Sequence, residues 1–298
     1  MPPCTPVPTS GDPGELRRRP AMILVTGATG GVGRAVCRRL AERGEHLLLT
    51  ARDEDRLRAL VQEVRTLGGG ADELPCDLRD QEAVTRFSRT VLREHGAPAA
   101  VISLAGHSIR RSLEESFGRP HDLVRLTGVN MLGPATLLLA MLEAMSVAGG
   151  GRIVAVTSAS ARIPTPGWAA YGASKAGLDA WLRAVRPQSA RRGVRIAIVE
   201  LPLVATAMAA PTYGSAPRGA LCPDRAAQRI LHALDARRSL LSPPWARAGA
   251  VLSQAAPALA ASAAGRAGEL ARRFAARGTV SRGGASASRP VRDKGPRP

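Results

Sequence analysis

Along residues 22–244, runs of strand length alternate with stretches whose apolar residues recur at helical spacing. Met22 to Thr26, His46 to Ala51 and Ala100 to Leu104 are almost wholly apolar, the signature of strands covered on both faces of a parallel sheet, and a more polar run spans Asp72 to Cys76. Between them, Val32 to Arg43, Asp55 to Leu67 and Gln81 to His95 read as amphipathic helices. The alternation continues with a long helix over Leu123 to Met145, a strand over Arg152 to Ser158, a helix over Tyr171 to Arg191 and a strand over Val194 to Leu201. Repeated strand, helix, strand predicts an α/β fold with a doubly wound parallel sheet and helices on both faces.

Outside this block the pattern fails. Residues 1–21 hold six prolines and the run Arg17, Arg18, Arg19, and are expected to form a disordered leader. Residues 245–278 are Ala-rich, broken by Pro257, with Leu252, Leu259, Leu270 and Phe274 as their larger apolar residues, and predict a short helical extension. Residues 279–298 are Gly, Ser, Arg and Pro, a composition that predicts a disordered basic tail.

Charge changes the picture less than its size suggests. Of a net +18 on 298 residues, residues 237–298 carry +10, and nearly all of the cations are arginine, since Lys175 and Lys294 are the only lysines. Aromatics make up 3% of the chain, too few for base-stacking platforms, and no helix-turn-helix or zinc-finger pattern occurs, which argues against nucleic acid as a partner. Cys4, Cys37, Cys76 and Cys222 are scattered, so reduced thiols, no metal site and a cytoplasmic location are expected. No signal-peptide core begins the chain, and no uninterrupted apolar run approaches the roughly 20 residues of a membrane-spanning helix.

The first candidate chemistry follows the first strand. Thr26-Gly27-Ala28-Thr29-Gly30-Gly31-Val32-Gly33 forms a tight turn opening a helix, where absent side chains let the backbone approach a pyrophosphate at the helix N-terminus. In this strand–turn–helix context the turn predicts a Rossmann-type dinucleotide site. At the end of the second strand Arg52 stands where a cation meets a 2′-phosphate, which favours NADP(H) over NAD(H). The alternative is a solvated arginine whose charge the adjacent Asp53 partly offsets. Asp77, followed by Leu78, is placed either to receive an adenine amino group or to cap the next helix.

The second lies on the Tyr171 helix. Tyr171 and Lys175 are four residues apart on one helical face, and a fixed positive charge beside a phenol favours the phenolate that acid–base chemistry at a carbonyl requires. Ser158, thirteen residues earlier, ends a strand at the sheet edge where ligands gather, with a hydroxyl suited to a substrate oxygen.

With these residues in this order and spacing, the chain resembles the short-chain dehydrogenases/reductases over about residues 22–236. The resemblance implies that Tyr171 protonates the substrate oxygen, Ser158 polarises it, and Lys175 holds the nicotinamide ribose and tunes the phenol. Asn130 matches the family's helix asparagine and implies a water-linked proton relay toward Lys175; otherwise it kinks or hydrates a buried helix. The family's Asn-Asn-Ala-Gly appears as Ser103-Leu104-Ala105-Gly106, leaving Ala105 and Gly106 as cofactor contacts. Its Pro-Gly appears as Pro202-Leu203, followed by Val204 and by Thr206 at the position that holds the nicotinamide carboxamide.

Two segments, Ala105 to Ser112 and Pro202 to Thr212, are similar to the reductase domain of bacterial fatty acyl-CoA reductases. That likeness implies an NADPH-dependent reduction of an acyl thioester or another lipid carbonyl. It leaves open whether Arg110 and Arg111 meet CoA phosphates or form a solvated pair, and whether 246–276 is a lid, an oligomer contact or a membrane-surface segment with Arg266, Arg272, Arg273 and Arg277 toward anionic headgroups. Met141 and Met208 read as ordinary packing. The family resemblance implies a small carbonyl or alcohol substrate and a homodimer or homotetramer; a non-catalytic NADP-binding regulator on the same scaffold is the alternative.

Overall fold

The computed structural model describes residues 21–214, 219–236 and 240–266 apart from 261 and 264. Residues 1–20 of the leader, the basic tail, Leu270 and Phe274 lie outside them.

Among the described residues, seven parallel strands form one sheet in the order β3 (Gly70–Glu73), β2 (His46–Thr50), β1 (Met22–Thr26), β4 (Ala100–Ser103), β5 (Gly151–Ser158), β6 (Val194–Leu201) and β7 (Leu240–Leu241). β1 (Met22–Thr26) pairs with both β2 (His46–Thr50) and β4 (Ala100–Ser103). The winding reverses between β1 and β4, and in open α/β sheets such a point opens the crevice where ligands bind. In register, Thr26 lies beside Thr50 and Ser103, and Ser158 at the end of β5 (Gly151–Ser158) lies beside Leu201 at the end of β6 (Val194–Leu201). One edge of the sheet therefore gathers the ends of these strands.

All five β1 residues are buried because helices cover both faces. Alternate side chains enter opposite cores. Ile23 and Val25 pack against α1 (Gly31–Ala41), α2 (Glu54–Thr66) and α9 (Pro223–Asp235), through residues such as Val36, Leu60 and Ile230. Leu24 joins Phe87 of α3 (Gln81–Glu94), Leu138 and Met141 of α6 (Gly133–Val147), and Leu182 of α7 (Ala169–Arg191). The starts of α2 and α3 are set by Asp53 and Asp80, whose carboxylates accept from backbone N–H groups one turn in.

The structure changes three sequence expectations. The third strand, β3, runs Gly70–Glu73 rather than from Asp72 to Cys76. Leu74 and Cys76 still donate to Leu49 and Ala51, but Pro75 fixes its backbone away from regular strand geometry. The long helix is not continuous: after a four-residue α4 (Leu113–Ser116), α5 (Pro120–Thr127) and α6 are joined by a π-helical turn, Gly128–Leu132. Pro134 has no N–H to return to the Asn130 carbonyl at α-helical spacing, so the turn widens around Asn130. Finally, Pro120–Val147 does reach span-like apolarity, with a mean hydropathy of 1.4 over its most apolar window. Leu137, Leu138, Met141 and Met145 are fully buried against the sheet, while Leu123, Val124, Leu139 and Val147 are exposed.

Past β6 come a short α8 (Ala210–Tyr213), α9, a two-residue β7 (Leu240–Leu241) and α10 (Pro244–Ala255). The chain breaks at Ala256 and is helical again over 257–260.

Candidate active site

Above the strand ends lies a cleft of about 1370 Å³. It brings together the catalytic and cofactor-binding residues expected from the sequence, apart from Asn130: Thr26, Gly27, Thr29, Gly31, Val32, Gly33, Arg52, Asp77, Leu78, Ala105, Gly106, Ser158, Tyr171, Lys175, Pro202, Val204 and Thr206 all line it.

The glycine turn is built by close backbone approach. Gly27 has φ +66°, and a Cβ there would meet the Ala105 backbone at 2.8 Å; one at Gly33 would meet the Gly27 carbonyl at 2.2 Å. Thr26 secures this contact, its hydroxyl accepting from the N–H groups of Leu104 and Ala105 at 3.1 and 3.2 Å. Thr206 comes across from the opposite rim, its methyl 3.0 Å from where a Gly31 Cβ would stand. Gly30 precedes α1 without a side-chain cap, and the first turn of α1 has no acidic residue, so its N-terminal N–H groups and dipole face the cleft uncompensated. A pyrophosphate fits this cradle.

The ribose end is more cationic than the sequence suggested. Arg52 and Arg56 both line it, and Arg56 donates to the Thr29 carbonyl at 2.7 Å. The Asp53 carboxylate accepts from the Arg56 N–H as the cap of α2, and it lines the cleft beside Arg52. Asp77 is not a helix cap either; Asp80 has that place. Burial pushes the Asp77 carboxyl up, but bonds from Arg79 at 2.9 and 3.0 Å outweigh this and hold it below its usual range. Arg56 stands in the first turn of α2, just past the Asp53 cap, and Arg79 and Arg125 reach the cleft only through the fold.

At the other end stand Ser158, Tyr171 and Lys175. Against the phenolate expected from the sequence, burial raises the Tyr171 phenol above its ordinary range, opposed only in part by a hydrogen bond with Ser158. Burial lowers Lys175 to about 8, and its Nζ reaches the Val156 carbonyl at 3.4 Å. The Ser158 hydroxyl lies 2.8 Å from that of Ser160, a cleft residue absent from the sequence reading although it sits only two positions on. The phenol is thus positioned as an acid–base group, with a hydroxyl pair beside it and an ammonium one helical turn away.

Asn130 stands behind this row, fully buried. Its Nδ2 donates to the His107 carbonyl and the Ser174 hydroxyl, and its Oδ1 accepts from the His107 N–H, each at 2.9 Å. The side chain therefore clamps the 106–107 segment to α7. His107 lines the cleft, and burial followed by the charges of Arg125, Arg52 and Arg79 lowers its imidazole below the ordinary value.

The mouth is aromatic. Trp168 stacks on Tyr213 with centroids 6.1 Å apart and meets Tyr171 edge-on at 5.8 Å. Trp245, Ile163 and Met208 complete this apolar wall, and Met208, 45% exposed, is a cleft residue rather than core packing. Arg110 and Arg111 are absent from the cleft lining. Arg111 is taken by the buried Asp122 at 2.5 Å and holds that carboxyl well below its usual range, while Arg110 is exposed.

A buried phenol and a buried amine lining one cleft, beside a groove shaped for a dinucleotide, are the equipment of a pyridine-nucleotide oxidoreductase. The chain belongs to the short chain dehydrogenase family, which it matches over residues 21–215. Among curated relatives, an uncharacterized oxidoreductase of Mycobacterium bovis is 36% identical over 243 residues, 80% of this chain and 71% of the relative. A fatty acyl-CoA reductase of Acinetobacter baylyi is 34% identical over 238 residues, 79% of this chain and 80% of the relative. Among solved structures, a metagenomic short-chain oxidoreductase in complex with NADP superposes with a TM-score of 0.63 at 31% identity, covering 74% of this chain and 93% of that one.

Proposed function

We propose that this oxidoreductase is an NADPH-dependent reductase of lipid carbonyls, with a fatty acyl-CoA thioester as its substrate. The observation that carries the reading is the polarity of the cleft, whose cationic floor at Arg52 and Arg56 gives way beyond Tyr171 to an apolar wall of Trp168, Tyr213 and Trp245. A relative named as a fatty acyl-CoA reductase and a solved relative holding NADP support it.

A bound NADPH supplies the hydride. Ser158 donates a hydrogen bond to the carbonyl oxygen, and Tyr171 gives that oxygen its proton as the C–H bond forms. Lys175 stabilises the phenolate left behind. For a thioester the product of this step is a hemithioacetal: Tyr171 takes the hydroxyl proton back, C=O re-forms, and the C–S electron pair leaves with the thiolate, giving an aldehyde.

The test follows NADPH oxidation with palmitoyl-CoA, fatty aldehydes and simple ketones in parallel. Acyl-CoA consumption with release of aldehyde is expected; turnover of aldehydes or ketones alone would overturn the thioester reading and leave the carbonyl chemistry. Arg52→Ala separates the cofactor reading. Loss of a charge-assisted bond to the 2′-phosphate is expected to lower kcat/KM for NADPH about 10- to 100-fold. The value for NADH should stay within a few-fold, and an equal loss with both cofactors would remove Arg52 from 2′-phosphate recognition.

A further inference from the structure

The outer face of α10 has the opposite polarity from that of a surface helix. Ala246 and Ala250 are buried, and a Cβ at Gly249 would lie 2.6 Å from Ile163, so small residues seat this helix closely on the body. At 100° per residue the opposite arc holds Trp245, Val251 and Leu252, which are 57, 62 and 49% exposed. Arg247 lies on its flank. A water-facing helix normally turns charged residues outward, whereas this one presents apolar side chains on its solvent side. After the break at Ala256, Leu259 is 68% exposed. The face begins at the cleft itself, since Trp245 lines it beside Tyr213 and Met208, which are 44 and 45% exposed.

We propose that this face docks on an anionic lipid surface, so that the cleft mouth opens toward the bilayer; the choice of partner rests on the lipid-carbonyl reading above. Two observations favour a bilayer over a second copy of the chain. Residues 237–298 hold 12 basic and 2 acidic side chains, a charge that draws the segment to anionic headgroups but sets two copies against each other. Tryptophan and tyrosine at the rim are the side chains that settle at a membrane interface, with the apolar residues inserting beneath the headgroups.

The experiment is co-sedimentation of the full chain with vesicles of phosphatidylcholine alone and of phosphatidylcholine with phosphatidylglycerol. The expected result is binding that requires phosphatidylglycerol and weakens with salt. Replacing Val251, Leu252 and Leu259 together by serine removes apolar area outside the cleft and is expected to weaken partition about tenfold or more. Turnover of a short soluble aldehyde in the same variant shows that it is folded. No binding to either vesicle overturns the proposal. So does binding that the triple variant keeps and that ends only when the chain is cut after Arg266, for then the tail alone is the tether. A triple variant that changes oligomeric state in sedimentation equilibrium while binding vesicles normally assigns the face to a second copy and overturns it as well. Vesicle binding with no turnover of any acyl-CoA defeats the substrate reading and not the docking face; the reverse defeats only the docking face.

Discussion

Tyr171→Phe is expected to lower kcat for carbonyl reduction by about 10²–10⁴-fold, the usual worth of a general acid, while leaving NADPH affinity within a few-fold. The substitution is narrow. The ring keeps its edge-on contact with Trp168 at 5.8 Å, and the phenolic O–H and its hydrogen bond with Ser158 are lost. Stability should therefore shift by no more than about 1 kcal/mol, the typical net value of one hydrogen bond. The sign with pH also follows. Reduction uses the protonated phenol, which burial keeps protonated through the neutral range, so reduction holds its rate there and falls in the alkaline range; alcohol oxidation uses the phenolate and rises with pH. Stopped-flow turnover, NADPH fluorescence titration and a melting curve on the same preparation check all three. Full turnover in a folded Tyr171→Phe protein would remove the phenol from the reaction.

Much of the site was legible because its residues act through local geometry. Gly27 and Gly33 are required by backbone contacts under 3 Å, which leave room for no side chain, and a strand–turn–helix sequence announces such a turn. Tyr171 and Lys175 share a helical face by spacing alone. What was not legible depends on chain brought from elsewhere. Asp77 offered two readings because its partner Arg79 and the true cap Asp80 are chosen only when the loop closes. Arg111 looked available for a phosphate until α5 delivered Asp122. The aromatic mouth joins residues 168, 213 and 245, and no pattern within any one segment predicts that they meet. The π-helical turn is intermediate: Gly128 and Pro134 are visible in the sequence, but a helix that is apolar nearly all round hides the shift of phase across the turn.

Lys175→Met is expected to make the free enzyme more stable near neutral pH and nearly inactive, a pairing that separates a functional lysine from a structural one. Lys175 is 5% exposed, and burial lowers its amine from 10.5 to about 8. The folded chain thus binds this proton less tightly than the unfolded chain does. Below pH 8 both states carry the proton, and the fold bears the full cost of a buried charge, about 3 kcal/mol for a shift of this size. Between pH 8 and 10.5 the folded state alone releases the proton, so wild-type stability climbs with pH by that amount. Methionine, similar in length and uncharged, removes the cost at every pH. Urea titrations should then show the variant more stable than wild type by about 1–3 kcal/mol at neutral pH, with the gap closing in the alkaline range. Turnover should fall by about 10² or more, because the phenolate left on Tyr171 loses the ammonium one helical turn away. A variant no more stable than wild type at neutral pH would mean that the amine is solvated or already neutral in the folded chain. In that case Lys175 does not supply the charge that the Tyr171 chemistry requires.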